Sequence, residues 1–232
     1  MDEVIKNTVP AKQQTNQAVI CDKTELNHIR IMFLGNSMTY HEKKEIIGWY
    51  NQWGMAASKE ENDYVHKLTS LLEKNNIEID KCIVNMCEWE RNYKDGDEVL
   101  KSGIYKAALD FNADIIILRF LENCPLDDFD KETFEKQLLS LIKYFNPNNK
   151  AKVILTTSFW RHIGSEVIKK VAEEWGYKCV FLTDLGDEDK MKAIGKFEHS
   201  GVAMHPGDLG MEHMALRMLP AVLATLKNNK NM

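Results

Sequence analysis

The 232-residue chain is poor in the features that would assign it to most functional classes. No run approaches the ~18 to 20 apolar residues that span a bilayer. The first residues, MDEVIKNTVPAKQQ, lack the apolar segment of a signal peptide, so a cytoplasmic protein with no membrane partner is expected. There is no basic stripe: 30 Lys and Arg are interspersed with 35 Asp and Glu, for a net charge of -5, which argues against nucleic acid as a partner. The five cysteines (Cys21, Cys82, Cys87, Cys124, Cys179) are odd in number and have no CxxC spacing. That argues against a zinc site and a disulfide framework, and reduced thiols are expected. His41 and His66 have no paired ligand spacing, so no metal and no cofactor is expected.

What the chain does have is 44% hydrophobic residues, enough for one substantial core, arranged in alternation. IRIMFL (29–34), IDKCIVNM (79–86), DIIILRF (114–120), KVILTTS (152–158) and KCVFL (178–182) read as five strands rich in β-branched residues. Between them DYVHKLTSLLEKN, DEVLKSGIYKAALDF, KETFEKQLLSLIKYF and SEVIKKVAEEWG repeat apolar residues at three- and four-residue spacing. GDLGMEHMALRMLPAVLATL closes the chain as a further helix, with Asp208 as its expected N-cap. Strand and helix in strict succession imply an α/β fold, a parallel five-stranded sheet with helices on both faces. Its ligand crevice should lie beyond the carboxyl ends of the strands. Residues 1–28 are polar and pattern-poor and read as an extension, leaving 29–232 as one catalytic domain.

Two turns stand out on that frame. The first strand breaks into Gly35-Asn36-Ser37-Met38-Thr39, which puts Ser37 at the crevice edge, where a hydroxyl is presented beside backbone N–H groups. Near the other end, His205 precedes Pro206-Gly207-Asp208 in a loop entering the last helix. Each turn alone has an ordinary explanation, but together they suggest a nucleophile and its base.

In these residues the chain resembles the SGNH (GDSL-like) hydrolase family of esterases and acylhydrolases, from about Ile29 to the C-terminus. The resemblance implies a flavodoxin-like three-layer α/β/α sandwich. It implies Ser37 as nucleophile in a block where Asn36 replaces the usual Asp, and His205 as general base. It also implies an oxyanion hole built from Ser37 N–H, the Glu90 position and Asn123. Two departures follow. The family's glycine at the second block is Glu90, a carboxylate needing Arg91 or Arg119 nearby, and the Asp three residues before the histidine is Val202. Three replacements for that acid remain: a backbone carbonyl in the Gly201–Met204 turn, giving a Ser-His dyad; Glu198 or Asp187 from the preceding loop; or Glu122 from the third strand. Trp49, Trp53, Trp160 and Arg119 are expected around the pocket, the rings as walls or as loop packing and Arg119 as a buried ion pair. A short polar chain without a long greasy lid favours short acyl groups, acetyl above all, on a small-molecule or carbohydrate ester. The alternative is a catalytically silent carbohydrate- or small-ligand-binding domain on the same fold.

Overall fold

In the computed structural model of the protein, residues 18–24 and 26–229 are described. Six strands form one sheet: β1 (Val19–Asp22), β2 (Ile29–Gly35), β3 (Ile79–Asn85), β4 (Ile115–Arg119), β5 (Lys152–Thr156) and β6 (Lys178–Val180), in the order β1-β3-β2-β4-β5-β6. The five expected strands are all present and mutually parallel, with β2 flanked by β3 and β4. Successive residues of β2 enter opposite cores: Ile31 and Phe33 face one, Met32 and Leu34 the other. Two covered faces are why the strand reads as an unbroken apolar run.

The helices are α1 (Tyr64–Glu73), α2 (Cys87–Arg91), α3 (Gly96–Lys101), α4 (Lys131–Phe145), α5 (Ser165–Trp175), α6 (Ser200–Ala203) and α7 (Asp208–Asn229). Leu68 and Leu72 of α1 and Met211, Met214, Met218 and Val222 of α7 close one face of the sheet. Leu138 and Leu141 of α4 and Val167, Ile168 and Val171 of α5 close the other. The result is the expected three-layer α/β/α sandwich.

Three expectations change. Part of the segment read as an extension is a strand: Val19–Asp22 adds an antiparallel edge to β3, with Cys21 opposite Cys82. Those two cysteines form a disulfide, against the expectation of reduced thiols; cross-strand register, invisible in sequence spacing, brings them together. Residues 1–17 of the extension lie outside the described residues. The helix expected over 97–111 divides at Gly103, whose φ of +84° interrupts it, into α3 and a 3-10 turn at Lys106–Phe111. Among the described residues no helix is long and apolar enough to cross a membrane.

Candidate active site

Chain order runs β2, β3, β4, while β3 and β4 lie on opposite sides of β2, so a crevice opens at the carboxyl ends of these three strands. Every part of the site comes from a segment leaving one of them or β5, or from the segment before α7.

Ser37 follows β2 in a turn closed by Thr39 N–H and Tyr40 N–H, both donating to the Asn36 carbonyl. Gly35 must be glycine here, because a Cβ at that point would lie 1.7 Å from Thr39 Oγ1. Asn36 and Met38 are buried while Ser37 is half-buried, so the turn holds its neighbours and leaves the serine accessible. Ser37 Oγ lies 2.7 Å from His205 Nε2. His205 Nδ1 lies 2.6 Å from the Gly201 carbonyl oxygen. A carbonyl only accepts, so Nδ1 carries the proton and Nε2 is left bare to accept from the Ser37 hydroxyl. The ring is further fixed by Trp160, edge to face at 5.5 Å between centroids. Its backbone is pinned by His205 N–H donating to Val202 O and by Ala193 N–H donating to His205 O. Burial, with Arg119 adding to it against the Gly201 hydrogen bond, lowers the His205 pKa to about 4.

The alternative carboxylates lie elsewhere. Glu198 is exposed. Asp187 accepts two hydrogen bonds from Arg161, at 2.9 and 2.6 Å. Glu122 accepts from Arg119 Nη2, from Asn36 Nδ2 at 2.6 Å and from Phe159 N–H at 2.7 Å. Val202, where the family carries its acid, is a core residue packed with Ile47, Trp49, Met55 and Ala56. That packing holds the short helix α6 in place, and with it the Gly201 carbonyl.

Beneath the serine lies a buried polar network. Arg119, at the end of β4, donates Nη2 to Asn36 Oδ1 at 2.9 Å and pairs with Glu122. Asn36 Nδ2 donates to Glu122 and, at 3.2 Å, to Glu90 Oε1. Glu90 also accepts from Leu121 N–H (2.5 Å), Asn123 N–H (3.2 Å) and Asn123 Nδ2 (2.7 Å). Burial raises the Glu90 pKa above the ordinary carboxylate value, and neighbouring Glu122 raises it further. Burial also pushes Glu122 up, but the Arg119 guanidinium and its N–H donors outweigh that and hold it below. The expected partner of Glu90, an arginine, is thus replaced by amide donors. Leu121 keeps a φ of +127°, backbone that glycine favours.

Several expected roles change. The Glu90 backbone N–H cannot serve an oxyanion, since it donates to Met86 O at 2.9 Å within α2; its carboxylate instead holds the Asn123 strand end. One Asn123 amide proton is engaged by Glu90, and the same nitrogen lies 3.5 Å from Cys87 Sγ, the sulfur that Ser37 N–H also faces. Trp49 and Trp53 do not line the cavity. Trp49 is fully buried with its Nε1 donating to His41 O, and Trp53 donates to Ala57 O, so both rings fasten the loop. Arg119 is likewise buried below the cavity. Asp208 is the first residue of α7, and its carboxylate accepts from Ser58 and Asn62 instead of capping, tying the tryptophan loop to the helix.

The cavity over Ser37 and His205 has a volume of about 390 Å³. Trp160, Glu122, Asn123 and Gly201 line it, as expected segments would, together with His41, Met55, Cys87, Arg91 and Met204. Burial lowers the His41 pKa to about 4, and raises the Cys87 thiol to about 12. Sequence reasoning missed these wall residues. The usable signal was position: Cys87 and Arg91 closely follow the carboxyl end of β3.

No protein-family model matches the chain, and no curated protein does. Solved structures do. A member of the lipolytic protein G-D-S-L family from Veillonella parvula is 17% identical with a TM-score of 0.52, the match covering 83% of this chain and 97% of that one. A carbohydrate esterase family 3 protein from Talaromyces cellulolyticus is 12% identical with a TM-score of 0.53, covering 86% and 99%. A two-domain esterase active on acetylated mannans is 15% identical with a TM-score of 0.53, covering 88% of this chain and 51% of that one. With these likenesses, the strand order and the layers described above, the chain has an SGNH hydrolase-like fold.

Proposed function

We infer that the protein is a serine esterase that cleaves short acyl esters, acetyl above all, on a small-molecule or carbohydrate alcohol. The observation that carries this reading is the chain of contacts from Ser37 Oγ to His205 Nε2 (2.7 Å) and from Nδ1 to the Gly201 carbonyl (2.6 Å), opening into a 390 Å³ cavity. Ser37 attacks the ester carbonyl as its proton passes to Nε2, and the imidazolium then returns that proton to the leaving alkoxide. Ser37 N–H and the Asn123 amide proton not held by Glu90 both point toward Cys87 Sγ, beside the place where the oxyanion develops, and turn from the sulfur to the substrate oxygen. A neutral carbonyl orients the ring without compensating its charge, so this is a dyad. The small cavity suits a short acyl group, and acetylated mannan is the substrate of one protein of like fold.

A silent binding domain would be favoured by a serine and histidine out of reach of each other and by a cavity filled with Trp49 or Trp53. Neither condition holds. Hydrolysis of a series of p-nitrophenyl esters from acetate to octanoate tests the proposal. Turnover should be greatest for acetate and lost in Ser37→Ala; equal turnover by the variant refutes it.

A further inference from the structure

Arg91 is the last residue of α2 and lines the cavity that holds Ser37 and His205. Among the described residues its guanidinium makes no hydrogen bond and no ion pair. The carboxylates of α2 and the one that follows β4 are engaged: Glu90 by Asn123, Leu121 and Asn36, Glu122 by Arg119, and Glu88 by Asn92 Nδ2 at 3.0 Å. The other titratable groups of the wall carry no charge at neutral pH, since burial keeps His41 and His205 deprotonated and Cys87 protonated. Glu122 is the one acid of the lining, and Arg119 balances it from below. The uncompensated charge of the cavity wall is therefore a single positive one with five N–H donors.

Arg91 also borders a second cavity of about 620 Å³, lined by Asn85, Glu88, Asn92, Asp95 and Glu98. It thus stands at the seam between the reaction centre and a second groove. A guanidinium in that place, with no partner among the described residues, matches a planar anion bidentately.

We propose that Arg91 is a specificity-determining residue, and that the esters this enzyme prefers carry a carboxylate that Arg91 grips. This rests on the esterase reading. With a net chain charge of -5, the overall field does not gather anions, so the preference arises from this contact.

Two matched ester pairs separate the possible positions of the carboxylate. On the alcohol side 3-acetoxybenzoate is compared with 3-acetoxybenzamide, and on the acyl side ethyl hydrogen succinate with ethyl succinamate. The wild type should show kcat/KM about tenfold or more higher for the anionic member of one pair, mainly through KM. Arg91→Gln should bring that ratio to near one, and Arg91→Lys should restore part of it. A ratio of one or less in both pairs, or a preference that survives Arg91→Gln, overturns the assignment. Calorimetric binding of 3-hydroxybenzoate and of succinate reads the same contact without turnover. If no ester is cleaved but either anion binds the wild type about tenfold more tightly than Arg91→Gln, the esterase reading fails and the anion site stands. If neither anion distinguishes the two proteins, the anion site fails as well.

Discussion

Replacing Asn36 by aspartate would give this chain the residue the family usually carries, yet the structure predicts damage. Asn36 Nδ2 donates to Glu122 at 2.6 Å and to Glu90 at 3.2 Å, while its Oδ1 already accepts from Arg119 at 2.9 Å and from Met38 N–H at 3.2 Å. An aspartate keeps the second pair and turns both donations into contacts between carboxylates. At ~3 Å and an effective dielectric constant of ~20, each contact between two charges costs about 5 kcal/mol, and the closer attraction to Arg119 returns about as much as one of them. The remaining ~5 kcal/mol is relieved by taking up a proton, which at pH 7 costs about 4 kcal/mol for a carboxyl of ordinary pKa near 4. Glu90, already raised above its ordinary value, takes up a proton for less. Asn36→Asp should therefore be destabilised by about 3 kcal/mol at pH 7, a fall in melting temperature of roughly 10 °C for a chain of this size. The extra proton is bound in the folded state with a raised pKa. The deficit is thus largest at and above neutral pH and shrinks as pH falls through that raised value toward 5. Thermal melts of both proteins between pH 5 and 8 measure it. A variant as stable as the wild type across that range would refute the network as described.

Other outcomes follow from the same geometry. Because His205 is held near pKa 4 by burial, kcat/KM should stay level below the free-histidine value of ~6.5 and fall only as pH approaches about 4; an inflection near 7 in a pH-rate profile would contradict this. The same depression, shared by His41, means the unfolded chain gains protons that the folded one does not as pH drops below ~6.5, so melting temperature should fall between pH 6.5 and 4. Glu198→Gln and Asp187→Asn should leave turnover within about threefold of wild type, whereas a true triad acid would cost up to ~10⁴. Asn123→Ala should cost about a hundredfold in turnover and also some stability, since it removes both the proposed oxyanion donor and a donor to buried Glu90.

The strands were legible because burial on both faces writes them as continuous apolar runs, and α1, α4 and α5 because each buries one stripe. A four-residue edge strand such as β1, or helices of four and five residues such as α6 and α2, leave no period to detect. Ser37 and His205 could be picked out by the turns that present them. The tryptophans could not be sorted, because nothing in IGWYNQWG says which way a ring faces; Trp49 turns into the cluster around Val202 while Trp160 reaches the cavity. Glu90 was recognised as out of place, but the reason it is tolerated, four donors converging from Asn36, Leu121 and Asn123, exists only in three dimensions.

The central claim is that Ser37, activated by His205 alone, is the nucleophile. Labelling with a p-nitrophenyl alkylphosphonate, followed by peptide mass spectrometry, tests it most directly. The account predicts one phosphonyl group per chain, on Ser37, formed at a rate reduced at least about a hundredfold in His205→Ala. Labelling at another residue, or at Ser37 with equal speed in His205→Ala, would contradict it.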